Sequence, residues 1–369
     1  PAQRSPAHTS ADFAELVCSN SLRSNVPTHA VGLLKEEMLR IGSLVMTAAD
    51  ESAVPAGSAL AVDREAFSRR ISDALAAHPR VEVRHERVDR IPEDGLVVLA
   101  TGPLTASELA EDLQERIGET SLYFYDAVSP IVYADSIDHE IAFRASRWED
   151  GEGDYLNLPL DEAGYRAFVA DLVASDVVPL HAFEARLYFE GCLPIEEMAR
   201  RGPLTLAHGP MKPVGLRDPR SGRQPFAVVQ LRQEDTRGVL YNLVGFQTKL
   251  RIGEQRRLLR TLPGLAEAVF ARFGSVHRNT YLCAPRHLAP DLQLRGRPGL
   301  YVAGQMTGVE GYVESAALGG LAGLQAAAAA RGCATAPPPE TSAHGAVSYT
   351  HLTLPTITSG CSSRGSRGR

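Results

Sequence analysis

The sequence predicts an α/β protein. A doubly wound, nucleotide-binding type domain is built from both ends of the chain, with an α+β domain inserted between them. Three observations carry this. Apolar runs at 96–100 and 300–303 each lead into glycine, Gly102 and Gly304, as buried strands that open into turns do. Helical and strand periods alternate before residue 120 and again after 286. Between them, from Tyr123, β-branched and aromatic residues mix with Arg/Pro/Gly loops. A chain of 369 residues has room for two domains at about 150 residues each. The expected division is 1–120 for the first part of the α/β domain, 121–285 for the insertion and 286–330 for the closing strand and helix. A tail at 331–369 is expected to be disordered or foreign.

The elements follow in order. Phe13, Leu16 and Val17 lead into a polar run, Cys18, Ser19, Asn20, Ser21, Arg23, Ser24 and Asn25, which lines a site or caps a helix. The 3–4 spacing of Val31, Leu34, Met38 and Ile41 predicts a helix over 28–46. A loop at 50–61 precedes an amphipathic helix at 64–77, and 81–88 alternates like a strand. The strand at 96–100 ends in Thr101-Gly102, and 105–117 reads as a helix with Thr105 or Ser107 as its cap. In the insertion, a helix is expected at 162–175, strands at 227–232 and 239–245, and helices at 252–262 and 265–273. The chain returns through 277–285 to the strand at 300–303.

Gly304, Gly308 and Gly311 break that last strand, and a small-residue helix starts at Tyr312. Free backbone N–H groups there suit a phosphate or the polar edge of a flavin. A βα turn packed on a sheet with no ligand reads equally well. Residues 331–346 are rich in Pro, Ala and Thr and read as disordered. The stretch 347–369 resembles a translated sequencing adapter, which places it, with Cys361, outside the fold.

Charge is uneven. Residues 201–300 hold 17 Lys+Arg against 6 Asp+Glu, whereas 101–200 hold 6 against 21. A basic block in an acidic protein is a footprint for a polyanion, or an Arg-rich solvated surface. The five cysteines are scattered, no apolar run spans a bilayer and no signal-peptide pattern opens the chain. The expectation is a cytoplasmic protein with free thiols and no metal. Walker A, H-E-x-x-H, G-x-S-x-G and C-x-x-C patterns are absent from the sequence.

Two thiols stand in chemical contexts. Cys192 lies between Gly191 and Pro194 at a strand-to-helix turn, where a helix N-terminus favours the thiolate and Glu196 and Glu197 oppose it. Cys18 lies among hydroxyls and amides with Arg23 nearby. A buried structural cysteine remains the alternative for each.

Taken together, ELVCSNSLRSN (15–25), LATGPL (99–104), FYDAVSPIV (124–132), YFEGCLPIEEMARRG (188–202), HGPMKPVGL (208–216), VGFQTKLRIGEQRRLLRTLPGL (244–265), HRNTYL (277–282) and YVAGQMTGVEGYVESAALG (301–319) resemble the bacterial folate- and FAD-dependent tRNA (uracil-5-)-methyltransferases. The resemblance covers residues 1–330. It implies an FAD-binding domain of Rossmann type. It also implies methyl transfer from 5,10-methylenetetrahydrofolate through reduced FAD to the T-loop uridine of tRNA, with NADPH or NADH as reductant. Cys192 then attacks uracil C6, and Cys18 is the base or flavin-side partner.

Under this resemblance the cofactor contacts are Ser19, Asn20, Arg23, Thr101, Gly102, Gly304, Gln305, Met306, Thr307, Gly308, Gly311 and Tyr312. The tRNA contacts are Lys249, Arg251, Arg256, Arg257, Arg260 and Arg278. Family members begin with a strand and a G-x-G-x-x-G turn that precede the Cys18 segment. Their absence here leads to the expectation of an N-terminal truncation, with the first βα unit lacking and FAD held weakly. A flavin oxidoreductase of small molecules and a non-catalytic tRNA-binding flavoprotein are the competing readings.

Overall fold

The computed structural model describes residues 8–118, 122–149, 151–179, 193–333 and 335–353. The N-terminal part holds β1 (Ser21–Ser24), α1 (Ala30–Arg40), α2 (Leu44–Glu51), β2 (Ala53–Val54), β3 (Ala59–Val62) and α3 (Arg64–Ala77). Its three strands form an antiparallel sheet in the order β1-β3-β2. The single helix expected at 28–46 is two helices. Gly42 takes a left-handed φ of +77°, and Ser43 caps α2 by accepting from the Met46 N–H. The apolar spacing runs through the break, so only Gly42-Ser43 marks it. Part of the expected loop at 50–61 is strand. The strand expected at 81–88 is irregular: Val81 and Val88 are exposed, and among the described residues no strand pairs with this segment.

Next come β4 (Val97–Leu99) and α4 (Ser107–Ile117). Thr105 does not cap α4; its hydroxyl donates to the Gly102 carbonyl instead, at 2.8 Å. The inserted unit contains β5 (Leu122–Ala127), β6 (Ile131–Tyr133), β7 (Phe143–Arg144), β8 (Leu156–Leu160), α5 (Glu162–Ala174), α6 (Ile195–Arg200), α7 (Thr205–His208), β9 (Ala227–Gln233), β10 (Leu240–Leu243), α8 (Ile252–Leu259), β11 (Phe270–Arg272) and β12 (Val276–Tyr281). Six of these strands form one antiparallel sheet, β11-β6-β10-β9-β8-β7, and β12 pairs with β5. β9 is buried along its whole length, which fits a central strand covered on both faces. The core of this unit draws on residues from Val132 to Ala268, with Tyr165, Leu158 and Phe246 among its buried side chains.

The helix expected at 265–273 is not formed. Leu265 and Ala268 are buried in turns, and 270–272 pairs with β6 as strand β11. A strand partner overrides helical spacing when the segment is this short.

The chain closes with α9 (Ala284–His287), β13 (Leu300–Val302), α10 (Tyr312–Ala330) and α11 (Ala343–Thr353). β13 runs parallel to β4, with Leu300 opposite Val97 and Val302 opposite Leu99. Among the described residues this is the one parallel pair, a smaller parallel sheet than a doubly wound domain lacking only its first βα unit would hold. The N-terminal strands pair antiparallel among themselves and do not join it.

The tail is not wholly unstructured either. The Glu37 carboxylate of α1 accepts from the backbone N–H groups of Ala343 and His344 at 2.8 and 2.9 Å, which anchors the start of α11. Leu352 is buried against the closing core. Cys361 lies outside the described residues.

Candidate functional site

All three parts of the chain meet at Cys18. The segment 16–20 comes from the N-terminal part, β9 and β11 from the insertion, and α10 from the closing part. Cys18 is half-buried. Its backbone N–H donates to the Tyr312 hydroxyl at 2.9 Å, and its Sγ lies 3.0 Å from the same oxygen. Tyr312 is the first residue of α10, so the helix start sets where that hydroxyl points. Burial, and then the neighbouring Cys18 charge, raise the Tyr312 phenol well above its ordinary value. It therefore keeps its proton at neutral pH, and that proton is available to the sulfur.

Three arginines surround this pair. Arg64, at the start of α3, pairs with Glu234 and bonds the Leu16 carbonyl; its Nη2 lies 3.4 Å from the Cys18 carbonyl oxygen. Burial opposes its charge, but the Glu234 partner outweighs burial and raises its pKa. Arg232 of β9 donates from Nε to Asn20 Oδ1 at 2.9 Å and from Nη2 to Ser19 Oγ at 2.8 Å. Burial lowers its pKa. Arg272 of β11 donates from Nη1 to the Val17 carbonyl at 3.1 Å. Burial, then repulsion from Arg64, lowers it to about 10. Its Nε and Nη2 are buried without a hydrogen-bond partner. Three guanidiniums around one carboxylate leave net positive charge beside a thiol, which favours the thiolate.

Of the residues the sequence singled out, Cys18, Ser19, Asn20 and Tyr312 are thus brought together. Asn20 is fully buried, and its amide also donates to the Val62 and Gln233 carbonyls at 3.0 and 2.9 Å. It joins two parts of the chain and has no face left for a cofactor. Arg23 has a left-handed φ of +63° and pairs with Glu314 in the first turn of α10. That pair lies over Gly311, where an added Cβ would run into it.

The turns after the parallel strands lie side by side. The Thr101 and Thr105 hydroxyls are 2.6 Å apart, and Thr105 Oγ1 is 3.3 Å from Met306 Sδ. Gly102, Gly304, Gly308 and Gly311 all have positive φ, between +67° and +97°. This is the crevice at the carboxyl ends of parallel strands where α/β sheets bind ligands. Gln305 is half-buried there. Met306 and Thr307 instead point into the core, at 0% and 1% exposure, so neither side chain faces a ligand.

The six expected tRNA contacts are scattered in environment. Lys249 is buried and paired with Glu197, away from any surface. Arg257 is held by Asp171 at 2.7 Å and by Glu254 at 2.8 Å. Arg251 and Arg256 are exposed, and Arg260 donates to the Ala268 carbonyl at 2.9 Å. Arg278 lies on β12, opposite Tyr125. Cys192 falls outside the described residues. After it, α6 starts at Ile195, and its second residue, Glu196, is a fully buried carboxylate that accepts from Lys249 N–H and Thr248 Oγ1 at 2.8 and 2.9 Å; burial raises its pKa.

Arg64, Arg232, Glu234 and Arg272 escaped the sequence reading. A lone Arg in RQE or FARFG carries no local signal; only the pairing of distant strands brings them to Cys18.

Residues 6–334 match the protein family described as "Glucose inhibited division protein A". The chain is 60% identical over 356 residues to the methylenetetrahydrofolate–tRNA-(uracil-5-)-methyltransferase TrmFO of Anaeromyxobacter sp. (strain Fw109-5), covering 96% of this chain and 78% of that protein. It is 54% identical to TrmFO of Moorella thermoacetica over 97% of this chain and 82% of that one. The fold is similar to that of Aquifex aeolicus GidA, with a TM-score of 0.68 at 15% identity, over 92% of this chain and 61% of that chain. The expectation of an N-terminal truncation finds no support in these matches. No helix among the described residues is long and apolar enough to cross a membrane.

Proposed function

We propose, because the chain belongs to the methylenetetrahydrofolate–tRNA-(uracil-5-)-methyltransferase (TrmFO) family, that it methylates uridine C5 in the T-loop of tRNA with two cysteines in separate roles. The observation that carries the reading is Cys18 held against the Tyr312 hydroxyl where all three parts of the chain converge. Cys192 is assigned the attack on uracil C6, a soft electrophile suited to a thiolate. That addition places negative charge on the C4 oxygen and makes C5 nucleophilic. Cys18 is assigned the removal of the C5 proton, with the Tyr312 hydroxyl donating to its sulfur and Arg64, Arg232 and Arg272 favouring its ionised form.

The residues present fit a flavin. Gly304 and Gly308 keep backbone free of Cβ at the crevice, and Arg272 has two buried donors without partners, which suit a ring carbonyl oxygen. When bound, FAD and 5,10-methylenetetrahydrofolate supply the one-carbon unit and the hydride, chemistry no side chain provides. NADPH or NADH is the proposed reductant, and the proposed location is the cytoplasm.

The test separates the cysteines on the FAD-loaded protein. Cys192→Ala is expected to abolish tRNA methylation while flavin reduction by NADPH continues. Methylation that survives in Cys192→Ala would overturn the assignment of Cys192 as nucleophile; a wild type that reduces flavin but does not methylate tRNA would favour a small-molecule oxidoreductase.

A further inference from the structure

A notch of about 310 Å³ opens between α8 and β11, lined by Arg256, Arg260, Val269, Phe270 and Phe273. Its walls are of one kind. The Phe270 and Phe273 rings stack with centroids 4.9 Å apart and planes 22° apart. The Arg256 guanidinium lies over the Phe273 ring, 5.4 Å from its centroid. Arg260, the C-cap of α8, is one helical turn further on, so both cations lie on one side of the helix end. The Ala268 carbonyl holds the Arg260 guanidinium in place.

The helix sorts its charges. Arg257 is neutralised by Asp171 and Glu254 on another face, whereas Arg256 has no carboxylate partner among the described residues. Val269 is 51% exposed, an apolar surface that water must cover unless a ligand does.

We propose that this notch is a second nucleotide subsite, which takes an unstacked base of the tRNA other than the uridine that is methylated. The proposal rests on the tRNA reading above. A planar base continues the Phe270–Phe273–Arg256 stack, and its phosphates lie against Arg256 and Arg260. Stacking on aromatic and guanidinium planes is how unpaired bases are gripped without regard to sequence. A cavity at the small end of the ~300–1,000 Å³ range suits one nucleotide better than a helix or a peptide.

Position supports the assignment. Phe270 and Phe273 flank Arg272, whose guanidinium bonds the Val17 carbonyl next to Cys18. At about 3.3 Å per residue, the notch starts within ~7 Å of backbone from the residue that enters the Cys18 site. An RNA loop that delivers one base to Cys18 brings its neighbours along β11.

The experiment uses the FAD-loaded full chain with tRNA transcripts. Val269→Glu puts a carboxylate in the notch at an exposed position that folding tolerates, and Arg256→Ala removes one wall. Phe273→Ala removes the stack, and Phe273→Trp restores it. Val269→Glu and Phe273→Ala are expected to raise KM for tRNA about 5- to 150-fold with kcat at saturation unchanged, and Phe273→Trp to return KM to near wild type. Arg256→Ala is expected to lower the salt dependence of binding by about one phosphate contact.

Single abasic nucleotides are then scanned around the target. One flanking position is expected to weaken wild-type binding and to have no further effect in Phe273→Ala. Unchanged KM in Val269→Glu and Phe273→Ala, with the wild type active, overturns the subsite alone. An additive loss at every abasic position overturns it as well. A wild type that cannot methylate tRNA at all overturns the functional reading, and the subsite with it.

Discussion

Two groups of arginines in the inserted unit do opposite work. Arg232 and Arg272 lie inside, against Asn20, Ser19 and Val17, where each guanidinium is bonded to a fixed oxygen. Arg251, Arg256 and Arg260 border α8 at the surface. Both groups belong to the same basic block at 201–300, and by composition they are indistinguishable. The difference teaches that a block of charge is not a footprint until burial has been subtracted from it. Lys249, also in the block, is subtracted in the same way by Glu197. What remains at the surface is a smaller patch with aromatic rings in it, which is more specific than charge alone.

The largest test of this contrast lies in the buried group. Glu234→Ala leaves Arg64 without its carboxylate and three guanidiniums uncompensated around Cys18. The expected loss of stability is about 3–5 kcal/mol, read from urea denaturation. A loss below ~1 kcal/mol would show that the cluster is hydrated, and the contrast with α8 would collapse.

An intermediate test uses Lys35, 2% exposed, which donates to the Arg23 and Ser24 carbonyls at 3.2 and 2.9 Å. Burial, then repulsion from Arg23, lowers its ammonium from 10.5 to about 8. Between those values the unfolded chain holds a proton that the folded chain has released, so stability rises with pH across that window. Below pH 8 both states are protonated and the dependence vanishes. Relative to Lys35→Met, wild-type stability is expected to gain on the order of 1–3 kcal/mol from pH 8 to 10, measured by denaturation at each pH. A flat difference would mean that Lys35 is not desolvated.

The smallest effect belongs to the surface. Arg257→Ala removes an exposed, fully paired arginine. Stability is expected to change by ~0–1 kcal/mol and KM for tRNA by less than about twofold. A large KM effect would return Arg257 to the RNA surface and blur the distinction from Arg256.

Legibility followed the range of the forces involved. Helices α3, α5 and α8 were readable because their apolar residues repeat within one element and their starts carry local signals; Asp63 and Asp161, for instance, accept from the N–H groups of Ala66 and Gly164. The break between α1 and α2 was legible only in Gly42-Ser43. The strand at 270–272 was not legible at all, because its partner β6 lies more than 130 residues away. The same holds for the site. Cys18 and Tyr312 stand in distinctive local sequence that marks both as candidates, and they lie in contact. Arg64, Glu234 and Arg272 do not, and they were missed.

By itself, the sequence determined the chemical inventory and the family: the Cys18 segment, the glycine turn from Gly304 to Gly311, and an order of motifs that the relatives share. These depend on residue type and neighbours in the chain, which a linear text preserves. Only the tertiary structure decided which charges are buried, that the start of α10 after the glycine turn packs on the Cys18 segment, and that two phenylalanines and two arginines border one notch. Those facts depend on contacts between residues up to 294 positions apart, such as Cys18 with Tyr312. Burial and hydrogen bonding act through space, and no local pattern encodes which distant partner will arrive.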